Sequence, residues 1–289
     1  MAFRPSLAVC FAFIVCASFA ISPATAQNIV AHRGASFDAP ENTLAAFKLA
    51  FEQGADGVEG DFYLTSDGKI VCIHDADTQR TAGVKHVIVE TPLEVLRKLD
   101  VGSWKNEKYR GEKMPTFDEV AAVIPSDKKF IIELKTGPEI VAPLKEALAK
   151  TDLRDEQILI ICFNEKTVAE CKRLLPDLKC HWLTGYKQDE KSGEWKPSLG
   201  EVVATLERSK ADGLGSQGEI KHVDAEFLED LCDEGHCEFH VWTIDYPKVA
   251  RYYQKLKPWG ITTNRPGFIR EQLKLKPAAA AKVPAAAAN

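Results

Sequence analysis

From Asn28 to Leu275 the chain alternates two hydrophobic patterns: short β-branched or aliphatic runs, and longer stretches whose apolar positions recur every three or four residues. The first pattern predicts strands at Ile29–His32, Gly57–Tyr63, Phe130–Leu134, Ile158–Phe163, Cys180–Leu183, Gly213–Ser216, Phe239–Thr243 and Gly260–Thr263. The second predicts helices at Asn42–Gln53, Thr116–Val123, Glu139–Ala149, Glu165–Leu175, Leu199–Lys210, Ala225–Glu234, Pro247–Leu256 and Phe268–Leu273. Pro40 and Asn42 open the first helix and Asp224 precedes the sixth, the punctuation expected of helix starts. Strands that each feed a helix pack as repeated βα units on a parallel sheet. Eight such units in about 250 residues match the size of one TIM (β/α)8 barrel, with a doubly wound open sheet as the alternative.

The alternation is interrupted once. Lys69–Asp75 reads as a further strand following Thr65-Ser66-Asp67-Gly68, and Asp-Gly between two alternating runs signals a hairpin. The second strand is therefore expected to continue past the barrel rim, followed by a small inserted segment at 76–115. Excursions of this length commonly cover an active site.

The two ends differ from the middle. Met1–Ala26 has an early cation at Arg4, an apolar run from Leu7 to Ile21, and Ala24-Thr25-Ala26 before Gln27, the pattern of a cleaved secretory signal peptide. A membrane anchor is the alternative, but the run falls short of the ~20 residues of a bilayer span. Lipid attachment is weaker still, because valine precedes both Cys10 and Cys16. A catalytic domain at 27–275 and a Pro/Ala-rich tail at 276–289, with almost nothing to bury and so expected to be disordered, complete the chain. The expected location is periplasmic or secreted, without stable membrane insertion after signal cleavage.

Composition narrows the function. With 45% hydrophobic residues among 289, the chain can bury a substantial core. Its formal net charge of −5 argues against nucleic acid as a partner, because polyanion binders need surplus Lys and Arg. Six cysteines follow the signal segment, and Cys232 and Cys237 are close enough in sequence to bridge, buried free thiols being the alternative. Nothing resembles the paired Cys elements of a zinc site.

Reactive groups concentrate in Ala31–Asp75. Strand alternation puts Glu59 and Asp61 on one face, where each needs a partner if turned inward. A hard divalent cation, Mg²⁺ or Ca²⁺, suits this all-oxygen pair. An isolated acid-x-acid is more often solvated, but here the surrounding strand is apolar or small. Glu133 offers a third ligand, and lies with Lys135 at the C-terminal end of a strand, where barrel active sites are built; a plain Glu133–Lys135 ion pair is the alternative. His32 and His74 are each readable as structural histidines alone. Together they suit general base and general acid, with Arg33 and Lys135 able to hold phosphoryl oxygens.

Ala31-His32-Arg33-Gly34, Pro40-Glu41-Asn42-Thr43, the run Gly54–Asp61, Thr65-x-Asp67-Gly68 and Val71-x-Ile73-His74-Asp75 resemble, in order and spacing, the motifs of the glycerophosphodiester phosphodiesterase family. Ile132-Glu133-Leu134-Lys135, Val241-Trp242-Thr243 and Gly260–Pro266 resemble its later strands. The resemblance implies a TIM barrel with an insertion after the second strand. It also implies one Ca²⁺ or Mg²⁺ on Glu59, Asp61 and Glu133, acid/base work by His32 and His74, and phosphate contacts from Arg33 and Lys135. Glu41 and Asn42 match a motif with a supporting role, although Glu41 also suits a helix cap. Trp242 would wall the glycerol or head-group pocket, core packing being its alternative.

The chain departs from the family at three places. Asn264 stands where an aspartate is common, Cys162 where serine is usual, and Gly60 where a bulkier residue often lies between the two ligands. The expected products are glycerol 3-phosphate and an alcohol such as choline or ethanolamine. Two other readings are a phospholipase D-like barrel acting on lysolipid or sphingolipid head groups, and a catalytically silent binding protein. The first needs an exposed apolar loop cluster, and no such run stands out near 76–115; the second needs a lost ligand or histidine, and every position is filled.

Overall fold

The apolar runs become strands and the amphipathic stretches become helices, alternating along most of the chain. The computed structural model describes residues 27–276. The expected signal segment at 1–26, and the expected tail beyond residue 276, lie outside the described residues.

Within them the strands are β1 (Asn28–His32), β2 (Gly57–Leu64), β3 (Ile70–Cys72), β4 (Lys129–Leu134), β5 (Ile158–Cys162), β6 (Lys179–Thr184), β7 (Lys187–Gln188), β8 (Trp195–Lys196), β9 (Gly213–Gln217), β10 (Phe239–Trp242) and β11 (Gly260–Thr263). The sheet order is β1-β11-β10-β9-β6-β5-β4-β2-β3, and an additional β1–β2 pairing closes it. All these pairings are parallel except that of β3, which returns antiparallel along β2. The result is the expected eight-stranded parallel barrel, and the open sheet is excluded.

The helices are α1 (Leu44–Glu52), α2 (Gln79–Ala82), α3 (Leu93–Leu96), α4 (Phe117–Ala122), α5 (Val141–Leu148), α6 (Glu165–Leu174), α7 (Leu199–Ser209), α8 (Ala225–Asp233), α9 (Pro247–Leu256) and α10 (Pro266–Gln272). Their apolar faces cover the outward side chains of the strands in one continuous core that includes Val58, Phe62, Phe130 and Ile160. Val30, Ile131, Leu159, Ile161 and Leu183 fill the barrel interior. On β2 the alternation is therefore decisive, since Val58 and Phe62 enter the outer core while Glu59 and Asp61 turn inward. Gly60 faces outward between them, where an added Cβ would stand 3.1 Å from Phe47 of α1 and 3.2 Å from Cys72 Sγ. The missing side chain lets α1 seat closely on β2.

Several boundaries differ from the sequence expectation by a few residues, and one hairpin is additional. Helix α1 starts at Leu44 rather than Asn42, because Thr43 is the cap whose hydroxyl accepts from the Ala46 N–H at 3.2 Å. Helix α5 starts at Val141, after a 3-10 turn at Pro138–Ile140. The β7–β8 hairpin was not foreseen, because two-residue strands of mostly exposed polar residues leave no period-2 hydrophobic trace. Of the cysteines, Cys232 and Cys237 form a disulfide, while Cys72, Cys162, Cys171 and Cys180 are buried free thiols.

After β3 the chain makes its excursion through α2 and α3. Ile88, Leu96, Val101 and Met114 pack with Val71 and Ile73 as a separate small core. Arg97 ties the segment to α4 through two bonds to Glu119, at 2.7 and 2.8 Å. Lys105 and Tyr109 bond the Ser36 and Asp38 carbonyls, which holds the excursion against the loop after β1.

Phe62 packs edge-on against both Phe117 and Phe130, and the three rings, with centroids 5.5 to 5.8 Å apart, join β2, β4 and α4. Phe62→Ala is expected to cost about 3–5 kcal/mol through the cavity it leaves. In a domain of this size that lowers the melting midpoint by about 6–20 °C; a calorimetric shift under about 2 °C would show that this cluster does not hold the second strand.

Candidate active site

Five strand ends and the loop after β1 build one cleft. His32 ends β1, Glu59 and Asp61 lie on β2, Glu133 on β4 and Trp242 on β10, while Lys135 immediately follows β4. Parallel register sets Asp61 beside Glu133 and His32 beside Glu59. His74, just past β3, joins them because the antiparallel return of that strand carries it back toward the mouth. The cleft measures about 130 Å³ and is lined by His32, Arg33, Glu59, His74, Lys135 and Trp242, above a floor that includes Ile161 and His240. It is smaller than the ~300 Å³ of a drug-sized site, so it admits a small polar head rather than a whole lipid.

Glu59, Asp61 and Glu133 each offer an oxygen within 4.8 Å of the others, and all three are buried. Three carboxylates so close repel one another, and among the described residues Arg33 and Lys135 offset them through ion pairs. Arg33 Nε lies 3.2 Å from Asp61 Oδ2, and Lys135 Nζ lies 2.7 Å from Glu133 Oε1 and 3.4 Å from Asp61 Oδ1. Burial raises the Glu59 carboxyl well above its ordinary range, and the Asp61 and Glu133 charges push it further. Glu133 is raised by burial and then by Asp61. Burial also acts to raise Asp61, but Arg33 and Lys135 outweigh it and hold that group low.

Glu59 Oε1 and Asp61 Oδ1 are buried without a hydrogen-bond donor. Orphaned buried carboxylate oxygens are costly. An all-oxygen set with unspent acceptors fits a hard divalent cation, which these three residues would hold.

Backbone strain supports the cluster. Arg33 and Asn42 both sit in the left-handed region, at φ 55° and 57°. For arginine this is an uncommon conformation of the kind retained where a site requires it. Here it turns the Arg33 N–H onto Glu59 Oε2 at 2.9 Å. Asn42 donates from Nδ2 to Asp61 Oδ2 at 2.8 Å and accepts from the Asp61 N–H at 3.2 Å, so one amide holds both the side chain and the backbone of Asp61 in place of starting the helix.

Glu41 does not cap α1, whose first turn holds no acid. It accepts from Arg33 Nη1 at 3.0 Å and from both terminal nitrogens of Arg80, at 2.8 and 2.9 Å. Arg80 also bonds Asp75 through Nε at 2.7 Å, and this pairing, ahead of the His74 contact, lowers Asp75 to about 2. Asp75 Oδ1 in turn lies 2.8 Å from His74 Nδ1.

His32 has a different neighbour. Its Nδ1 is 2.7 Å from Asn264 Oδ1, and burial, followed by the Arg33 charge, lowers it to about 4. Trp242 lines the cleft with its ring packed edge-on against Phe163, and its indole N–H is buried without a partner. Cys162 makes backbone contacts of the sort a serine would, donating to the Leu134 carbonyl at 3.1 Å and accepting from the Asn164 N–H.

Sequence reasoning gave Asp75 no role of its own, and it did not find Arg80, Asp245 or the buried pair His181 and His240, whose Nδ1 atoms are 2.9 Å apart. The glycines of β9 carried a signal for that pair. A Cβ at Gly213 would come within 2.8 Å of His181 Nε2, and one at Gly215 within 2.5 Å of the His240 ring.

The sequence model of the glycerophosphoryl diester phosphodiesterase family matches residues 32–268. The chain belongs to this family.

Among its relatives, a glycerophosphodiester phosphodiesterase of Caldanaerobacter subterraneus is 41% identical over 156 residues, covering 52% of this chain and 64% of that protein. One of Bacillus subtilis is 28% identical over 287 residues, covering 89% and 94%. Among solved structures, the Oleispira antarctica phosphodiesterase in complex with the product sn-glycerol-3-phosphate superposes with a TM-score of 0.73 at 27% identity, over 86% of this chain and 96% of that one. The residues matched by the glycerophosphoryl diester phosphodiesterase family model include every residue of the cleft named above.

The repulsion among the three acids generates a test. Chelator-stripped protein given saturating Ca²⁺ or Mg²⁺ is expected to melt about 5–10 °C higher, the shift of a ligand at ~100 times its dissociation constant. Glu59→Gln, which removes one like charge, is expected to melt at or above the stripped parent and to gain nothing from the ion. A variant that is destabilised without metal, or still stabilised by it, would show that Glu59 is not a ligand.

Proposed function

We propose that this chain hydrolyses glycerophosphodiesters to sn-glycerol 3-phosphate and an alcohol, with one divalent cation, Ca²⁺ or Mg²⁺, on Glu59, Asp61 and Glu133. The observation that carries the reading is the convergence of these three acids beside His32 and His74 in one small cleft. Family membership and the product bound to the Oleispira antarctica relative support the substrate class.

When bound, the cation supplies Lewis acidity to a non-bridging phosphoryl oxygen. Arg33 and Lys135 face the same cleft and are placed to neutralise the remaining phosphoryl charge, Arg33 as a planar fork and Lys135 as a point charge. His32 acts as general base on the attacking hydroxyl, either water or a substrate glycerol hydroxyl, and His74 as general acid on the departing alcohol; in the second case the first product is a cyclic phosphate, which water then opens to glycerol 3-phosphate. The Asp75 carboxylate, braced by Arg80, keeps His74 oriented with Nδ1–H directed away from the leaving group. Glu41 and Asn42 have supporting roles, Glu41 by joining Arg33 to Arg80 and Asn42 by fixing Asp61. Trp242 is the apolar wall for the glycerol or head group.

The reading includes export to the periplasm or medium. The apolar N-terminal segment with its small-residue cleavage pattern supports it, as does the Cys232–Cys237 disulfide, since such bonds persist in oxidising compartments. No helix among the described residues is long and apolar enough to cross a membrane.

One observation favours a second reading, in which the head group is presented by a lysolipid. The exposed large apolar side chains Phe37, Val84, Val89, Trp104, Phe163, Ile220 and Tyr246 all lie in segments that follow barrel strands, on the face bearing the cleft. Three of them belong to the 76–115 segment, where sequence alone had suggested no apolar cluster.

Release of glycerol 3-phosphate from glycerophosphocholine is expected to stop in excess EDTA and return with Ca²⁺ or Mg²⁺. His32→Ala and His74→Ala are each expected to lower kcat by at least ~10²-fold with the melting midpoint retained. Full rates in EDTA, or in both variants, would refute the assignment, and a preference for lysophosphatidylcholine over glycerophosphocholine would select the second reading.

A further inference from the structure

His32 is oriented by an amide that is not free to turn. Asn264 Oδ1 faces His32 Nδ1 at 2.7 Å and accepts from the Ser36 hydroxyl at 2.8 Å. On its other side Asn264 Nδ2 donates to Asp245 Oδ2 at 2.6 Å. Asp245 is itself anchored, with Oδ1 accepting from the Asn264 N–H and from the Thr263 hydroxyl, both at 2.8 Å. An ionised carboxylate only accepts hydrogen bonds, so rotating the amide would press its carbonyl oxygen against Asp245. The Asn264 oxygen is therefore fixed toward the imidazole. A neutral histidine facing an acceptor through Nδ1 carries its proton there and leaves the lone pair on Nε2.

We propose that Asn264, held by Asp245, is a positioning residue that sets His32 in the Nδ1–H tautomer, so that Nε2 is the atom that removes the proton from the attacking hydroxyl. This rests on the hydrolytic reading above. In the step itself the hydroxyl O–H bond breaks and its proton goes to His32 Nε2. The oxygen's electron pair forms the new P–O bond, the P–O bond to the alcohol breaks, and His74 gives the departing oxygen a proton. His32 then holds a proton on each nitrogen until one is released. A neutral amide is suited to this cycle because it can accept from Nδ1–H throughout without itself taking the proton.

A purely structural role for Asn264, tying the end of β11 to the segment after β10, would affect stability but not which nitrogen of His32 is protonated. The full chain labelled with ¹⁵N-histidine, with His32→Gln used to assign the resonances, reads this without turnover. The parent is expected to show a protonated Nδ1 and a bare Nε2 at residue 32. Asn264→Ala is expected to lose that fixed tautomer and to lower kcat by on the order of 10²-fold, with KM changed less than about twofold. The double variant N264D/D245N exchanges carboxylate and amide while keeping the donors in order, and is expected to recover the tautomer and most of the rate.

A parent with the proton on Nε2 would overturn the proposal, as would Asn264→Ala retaining full kcat. A double variant no better than the single one would also count against it. Absence of glycerophosphodiester hydrolysis by the parent, in contrast, overturns the preceding reading and is seen in a separate assay.

Discussion

Three buried carboxylates within 4.8 Å of one another are the constraint to which the rest of the mouth of this barrel answers. Burial removes the water that would screen them, and each then raises the cost of ionising the next. Two adjacent cations offset part of that cost, Arg33 and Lys135, yet two carboxylate oxygens remain without donors. A chain selected for stability alone would put apolar residues at positions 59, 61 and 133, as it does at 131 and 161 one layer deeper. The acids are instead kept, and the surrounding structure is spent on holding them.

How they are held explains the odd backbone of the loop after β1. Arg33 and Asn42 take up left-handed conformations, and an added Cβ at Gly34 would come within 2.6 Å of the Ala46 backbone. This tight turn lets the Arg33 N–H reach Glu59 and the Asn42 amide reach Asp61 from one side. The excursion between β3 and α4 presses on the same loop from outside, through Lys105 and Tyr109, and supplies Arg80 to close an Arg33–Glu41–Arg80–Asp75 chain of charges. The chain ends on His74, so a segment with its own small core helps fix the distance between His74 and the acids.

The barrel was legible because it is periodic. Each strand writes a short apolar run and each helix a 3.6-residue stripe, and boundaries came within a few residues except where caps decided them, as at Thr43. The acids and histidines were legible for another reason, since polar residues interrupting buried strands need partners. What could not be read lies in the contacts between distant loops. Arg80 sits on a one-turn helix in an irregular excursion, where no periodicity announces its direction. Asp245 follows a strand as an ordinary loop acid and gains meaning only from the Asn264 amide 2.6 Å away. Asn264 was visible as a departure from the family pattern, but the sequence had no means of showing that its second face meets a carboxylate. The exposed apolar rim was missed because its members are scattered from Phe37 to Tyr246 and become neighbours only through the barrel's topology.

The contrast between the two histidines follows from their partners. His74 faces Asp75, a full negative charge that can stand opposite a ring bearing positive charge. His32 faces the oxygen of a neutral amide, and burial, with Arg33 adjacent, disfavours charge on its ring. The same residue type is thus placed in two environments that differ by one formal charge. The difference rests on second neighbours, Arg80 on the short helix α2 behind Asp75 and Asp245 on the loop after β10 behind Asn264, and neither lies on a strand. The barrel therefore fixes where these side chains stand, while the segments that follow its strands fix what each histidine faces.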